Sequence, residues 1–97
     1  MTSADTQVRR NDEAQCYELI VNGQPCGTAR YHEEGDCTIF THTDVDPSLS
    51  GQGLGSRLAS GALEDVRARN RRVVARCSFI AEYIARHPQW QDLLPDA

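Results

Sequence analysis

Apolar and polar residues alternate along the first half of the chain and then take up a helical spacing. That change of period divides the molecule. Between Gln15 and Val21, Tyr17, Leu19 and Val21 occupy alternate positions, the two-residue period of a strand with one buried face. Asn22-Gly23 follows, a pair suited to the positive φ angles of a two-residue hairpin. A second strand is expected over about Gln24 to Glu33, and Glu34-Gly35-Asp36 closes another hairpin. The third runs from Cys37 to about Val45, rich in Thr, Ile, Phe and Val, and Asp46-Pro47 ends it.

Beyond that point the period lengthens. Leu54, Leu58, Ala59, Ala62, Leu63 and Val66 recur as one face of a helix over Leu54 to Arg69, with Arg57, Glu64, Asp65 and Arg67 on the polar side. A short strand is expected from Arg72 to Cys77. A second helix over about Phe79 to Arg86 is stopped by His87-Pro88. Trp90, Leu93 and Leu94 then return to the core. Residues 1–14 are polar and irregular, which predicts a disordered tail and a domain over residues 15–97. The fold class is α+β, in the order β-β-β-α-β-α: a mainly antiparallel sheet of about four strands with a crossover helix.

With 97 residues, the chain has room for a single small core. A net charge of −4 argues against nucleic-acid binding through bulk electrostatics. All ten basic residues are arginine, and five lie between Arg67 and Arg76, where they suit a solvated helix end and its dipole. No apolar run is long enough to cross a membrane and no signal-peptide pattern is visible, so a cytoplasmic location is expected. Cys16, Cys26, Cys37 and Cys77 show no paired C-x-x-C spacing, so neither metal nor disulfide is expected. The first three fall in strands, as small hydrophobes.

The candidate chemistry lies in the turn between strand and helix, Pro-Ser-Leu-Ser-Gly-Gln-Gly-Leu-Gly-Ser-Arg-Leu over 47–58. Gly51, Gly53 and Gly55 allow positive φ and close approach of a ligand to the backbone. The helix start that follows supplies free N–H groups and the positive end of a dipole. Together they suit a pyrophosphate; the alternative is a turn that only joins two elements. A dinucleotide fingerprint would need a βαβ unit and an acid about 20 residues on, where Asn70-Arg71-Arg72 stands. A Walker A loop needs a lysine, and the chain has none.

Three segments resemble the GNAT superfamily of acyl-CoA-dependent N-acyltransferases. They are the turn Ser50-Gly51-Gln52-Gly53-Leu54-Gly55, the strand Phe40-Thr41-His42-Thr43-Asp44-Val45, and Cys77-Ser78-Phe79-Ile80-Ala81-Glu82-Tyr83 with His87-Pro88-Gln89-Trp90. Together they resemble a minimal, single-domain subclass of about one hundred residues. The resemblance implies acetyl-CoA as cosubstrate, with Gly51, Gln52, Gly53, Leu54, Gly55 and Ser56 at the pyrophosphate and Thr43, Asp44 and Val45 along the pantetheine. The loop departs from the family in opening on Ser50, where relatives carry Arg or Gln. Larger relatives also wall the acceptor site with helices inserted near the N-terminus. Here Asn22-Gly23 joins the first two strands directly, which leaves that site open or completed by a second chain.

The chemistry of amine acetylation needs a base near the acceptor and an acid near the departing sulfur. His42 and Asp44 alternate to one face of the third strand, and an imidazole exchanges protons near neutral pH. His42 is the expected base, or else a strand histidine with a structural hydrogen bond. The resemblance places Tyr83 near the sulfur as its proton donor; its other reading is an amphipathic residue capping the core. Cys77 either lines the thioester pocket or accepts the acyl group covalently. The expected function is therefore acetyl transfer to a primary amine of an unidentified protein or small molecule. The alternatives are a non-catalytic acyl-CoA-binding regulatory module and an interaction protein that has lost the cofactor.

Overall fold

The hydrophobic alternation builds the sheet as expected, and one further strand joins it. In the computed structural model, which describes residues 6–46 and 53–95, five strands lie in the order β1-β2-β3-β4-β5. They are β1 (Thr6–Asn11), β2 (Cys16–Val21), β3 (Gln24–Glu34), β4 (Cys37–Val45) and β5 (Arg72–Ala75). Helix α1 (Leu54–Ala68) crosses from β4 to β5, which makes that pair parallel while the other three are antiparallel. Helix α2 (Ser78–Arg86) and a 3-10 helix (Pro88–Leu93) follow. Asn22 and Gly23 both take positive φ, 51° and 83°, as the hairpin between β2 and β3 requires.

The expected tail over 1–14 is corrected at Thr6–Asn11, which pairs with β2 from Thr6 opposite Val21 to Asn11 opposite Cys16. Of the half-buried alternate positions Thr6, Val8 and Arg10, only Val8 is apolar, so the strand carries little hydrophobic signal. It packs closely all the same. A Cβ at Gly61 of α1 would lie 2.6 Å from Val8 Cβ, so glycine is what lets this strand meet the helix. Asn11 Oδ1 accepts the Ala14 N–H at 3.1 Å inside the turn to β2.

Both helices and the 3-10 segment bury their apolar residues on one face of the sheet. Leu58, Leu63 and Val66 of α1, Ile80 and Ile84 of α2, and Trp90 and Leu93 share a cluster with Tyr17, Leu19, Tyr31, Phe40 and Val73. Full burial of a Leu or Ile side chain is worth about 1.5–3 kcal/mol relative to exposure. Cys16, Ile20 and Ile39 point to the opposite face and are buried outside that cluster. No described helix is long and apolar enough to cross a membrane.

One end of the sheet is closed by charge. Arg10 of β1 reaches Asp12 at 2.5 Å, Glu33 at 2.7 Å and the Tyr17 hydroxyl at 2.9 Å, with its guanidinium 4.6 Å from the Tyr31 ring centre. The Tyr17 hydroxyl donates to Asp65 of α1 at 2.6 Å, and Tyr31 donates to Asp12 at 2.9 Å. Burial alone would raise the carboxyl of Glu33, but bonds from Arg10 and Thr38 hold it below its ordinary range. Asp65 is lowered in the same way, by Tyr17 and Arg69 against burial. The Tyr31 hydroxyl is pushed up to about 12 by burial and by its bond to Asp12.

The arginine-rich stretch after α1 is mostly tied to the protein. Arg67 binds Asp92 and the Gln89 carbonyl, and Arg71 binds Glu33 and the Gly35 and Cys37 carbonyls. Arg72 donates to the carbonyls of Asp92 and Leu94.

Candidate functional site

At the other end of the sheet β4 leaves β5. The two strands pair only from Cys37 opposite Arg72 to Phe40 opposite Ala75. Against β3, Tyr31 pairs with Phe40 and Arg30 with His42, which leaves Thr41 as an inserted residue. Such a bulge bends its strand and sharpens the local twist. The Phe40 carbonyl then accepts both the Arg76 N–H at 2.9 Å and the Cys77 N–H at 3.2 Å, and the ladder ends there. A gap opens between the rest of β4 and the start of α2.

The backbone along this gap is unevenly presented. The Asp46 N–H donates to the Cys26 carbonyl of β3 at 2.8 Å. Alternation therefore turns the N–H and C=O of Asp44 toward β3 and those of Thr43 and Val45 toward the gap. No described strand pairs with that edge beyond Phe40. Of the three residues expected along a pantetheine arm, Thr43 and Val45 offer backbone groups to it. Asp44 contributes through its side chain, which holds His42 Nε2 at 2.8 Å on the face opposite the helices.

Cys77 sits at the mouth of the gap. The expected strand over Arg72 to Cys77 stops at Ala75, and Cys77 instead caps α2, its Sγ accepting the Ile80 N–H at 3.4 Å. Across the gap, Sγ lies 3.2 Å from Thr43 Oγ1. The buried Cys77 thiol thus bridges the two elements where they part.

The start of α1 lies at the same end of the molecule. Gly53 takes φ 73° and its carbonyl accepts the Arg57 N–H at 3.1 Å, so it caps the helix in the left-handed conformation. Among the described residues no side chain caps this terminus, and its first turn holds no acid. The early N–H groups at Leu54, Gly55 and Ser56 precede any intrahelical acceptor. Gly51 and Gln52, also expected at the pyrophosphate, lie outside the described residues. Gly55 has a further reason to be glycine: a Cβ there would lie 2.8 Å from Cζ of Phe79 on α2.

A cavity of about 360 Å³ opens beside this terminus, lined by Gly53, Leu54, Ser56, Arg57, Thr6 and Tyr83. Arg57 donates to the Thr6 carbonyl of β1 at 3.3 Å. Tyr83 stacks on His87, ring centres 4.0 Å apart. Tyr83 stands six residues beyond Cys77, about 9 Å along the axis and about 240° around it. The structure therefore brings Cys77 to Thr43, His42 to Asp44, and Tyr83 to the start of α1; it does not gather His42, Cys77 and Tyr83 at one point. Sequence reasoning passed over Thr6 because strand β1 was unforeseen, and over Arg57 because it was read only as part of the polar face of α1. Among the described residues no cluster of three or more His, Cys, Asp or Glu side chains could hold a metal ion.

A family model described as GCN5-related N-acetyl-transferase matches residues 16–93. Among solved structures, the NMR solution structure of a GCN5-like protein from Staphylococcus aureus superposes with a TM-score of 0.71 at 20% identity, covering 94% of this chain and 89% of that one. At that identity the likeness concerns the fold. A comparison with curated proteins finds no significant match.

Proposed function

Because the chain belongs to the GCN5-related N-acetyltransferase family, we propose that it moves the acetyl group of acetyl-CoA to a primary amine at the splayed end of its sheet. The observation that carries this reading is that the described residues set the start of α1, the Thr43 and Val45 backbone beyond the last β5 pairing, and Cys77 at the same end of the sheet. Amides from Gly53 to Ser56, with the glycine turn before them, hold the pyrophosphate through the dipole and free N–H groups of a helix start. Arg57 supplies a positive charge at the start of α1, in a chain whose loop sequence has Ser50 where relatives carry Arg or Gln. The Thr43 and Val45 backbone pairs with the amides of the pantetheine arm, as an exposed strand edge pairs with an extended ligand.

In this reading the thioester lies in the gap, with Cys77 lining its pocket. The amine attacks the thioester carbon, the C–S bond breaks, and CoA leaves as the thiolate. The amine proton passes to His42, oriented by Asp44. Tyr83→Phe assigns the tyrosine: lower turnover at unchanged acetyl-CoA affinity makes it the donor to sulfur, and weaker affinity makes it a residue of the phosphate end. Cys77 has its own test, since a chain without lysine cannot acetylate itself on a lysine side chain. A hydroxylamine-labile acetyl group on Cys77 after rapid quench marks a covalent route; its absence marks direct transfer.

The function is tested by chromatographic measurement of CoA release from acetyl-CoA in the presence of primary amines. His42→Ala is expected to lower turnover by about 10²–10⁴-fold, the usual weight of general-base catalysis. Saturable acetyl-CoA binding without CoA release for any amine would replace the transferase reading with an acyl-CoA-binding regulatory module.

A further inference from the structure

The sheet face that carries His42 also carries two guanidinium groups without a partner among the described residues. Arg30 is the register partner of His42 across β3 and β4, so the two side chains rise next to each other on one face. Arg76 follows β5, its N–H bound to the Phe40 carbonyl at the start of the gap. Its chain neighbours Ala75 and Cys77 pack toward the core, whereas Arg76 is exposed, so its side chain turns to the His42 face. Among the described residues neither the Arg30 nor the Arg76 side chain makes a hydrogen bond or an ion pair. The arginines around the end of α1, by contrast, are held by Asp65, Glu33 and Asp92.

The nearby carboxylates do not neutralise this pair. Asp44 is taken by His42 at 2.8 Å, and Glu18, further across the same face, by Arg9 at 2.9 Å. Two free guanidiniums on the face of the base would repel a polycationic acceptor and attract an oxyanion. Their planar forks also match the paired oxygens of a carboxylate or phosphate. The chain's net charge of −4 does not undo this, since exposed charges more than about 8 Å away are largely screened at physiological salt.

Resting on the transferase reading above, we propose that the acceptor is a small primary amine bearing its own carboxylate or phosphate. Arg30 and Arg76 hold the oxyanion while the amino group meets His42. The open face then recognises its acceptor by charge and needs no inserted helices to enclose it.

The test uses CoA-loaded, ¹⁵N-labelled protein titrated with glutamate, glucosamine 6-phosphate or spermidine, following the arginine Nε–H signals. Glutamate and glucosamine 6-phosphate distinguish the two oxyanions. At least one should bind and shift the Arg30 and Arg76 signals. Arg30→Gln and Arg76→Gln should each weaken that binding about tenfold or more, the weight of a charge-assisted hydrogen bond, with CoA affinity unchanged. Tighter binding of spermidine, binding of neither anion, or anion binding equal in both variants would overturn the proposal. CoA affinity, measured on the same samples, reports separately on the transferase reading: failure of the intact chain to bind CoA would remove that reading and this one with it.

Discussion

At the end of the sheet where β1 turns into β2, the polar groups near the core satisfy one another. At the end where β4 leaves β5, several face the gap or the solvent instead. Arg10, Asp12, Tyr17, Tyr31, Glu33 and Asp65 form one connected network across three strands and a helix. Among the described residues, the other end has strand backbone with no strand beside it, a helix start without a side-chain cap and two arginine side chains without a partner. Unmet hydrogen-bonding capacity is costly when buried and useful when a ligand can reach it. The first end thus anchors the small fold and leaves the second free to hold a ligand.

The most severe way to break this contrast is Arg10→Ala. The variant leaves Glu33 and Asp65 half-buried without their shared cation and strips β1 of its inward anchor. Arg71 and Arg69 still pair with these carboxylates, so the loss is that of the charge-assisted hydrogen bonds Arg10 made, about 1.5–3 kcal/mol. Thermal melts should show that loss, with acetyl-CoA affinity retained wherever the variant is folded. An intact melting temperature would show that the network closes nothing.

Acid should release the same end without substitution. Glu33 and Asp65 sit below their ordinary values of 4.5 and 3.8 in the folded state. Depressed carboxyl values contribute stability that is fully present above the unfolded values and lost as pH falls through the folded ones. Chemical denaturation should therefore give a stability that declines below about pH 4.5, more steeply in the intact chain than in Arg10→Ala. Parallel declines in the two proteins would contradict the assignment.

The smallest expected effect sharpens the open end. Gly55→Ala places a methyl against Phe79, whose ring is 40% exposed and can move aside. A stability loss of about 1 kcal/mol is expected, as for mild overpacking. Phe79→Ala in the same chain should remove most of the penalty, and a double-mutant cycle measures that coupling. Additive losses would place the constraint on Gly55 elsewhere.

Which parts of this were legible in the sequence follows from whether the information is local. Strands β2 to β4, both hairpins and α1 were readable because their residues repeat at the period of the element they form. His42 and Asp44 were readable as neighbours because two residues is the period of a strand. Strand β1 was hidden because Arg10, a charged residue, takes an inward position whose partners are 7, 23 and 55 residues away. The role of Cys77 as a helix cap, and of Gly55 as a contact for Phe79, depends on how α2 docks, which no local pattern states. The place of Tyr83 beside the start of α1 depends on that docking too.

The contrast between the two ends is tested most directly by calorimetric titration of acetyl-CoA into three proteins: the intact chain, Gly53→Asp and Tyr17→Phe. Gly53→Asp sets a carboxylate at the helix start, and Tyr17→Phe removes the hydroxyl bonded to Arg10 and Asp65 at the closed end. The account predicts one site on the intact chain, weakened about 100-fold or more by Gly53→Asp, as expected for a like charge beside a pyrophosphate. It predicts no change in affinity for Tyr17→Phe. No binding to the intact chain, or affinity untouched by Gly53→Asp, would contradict it.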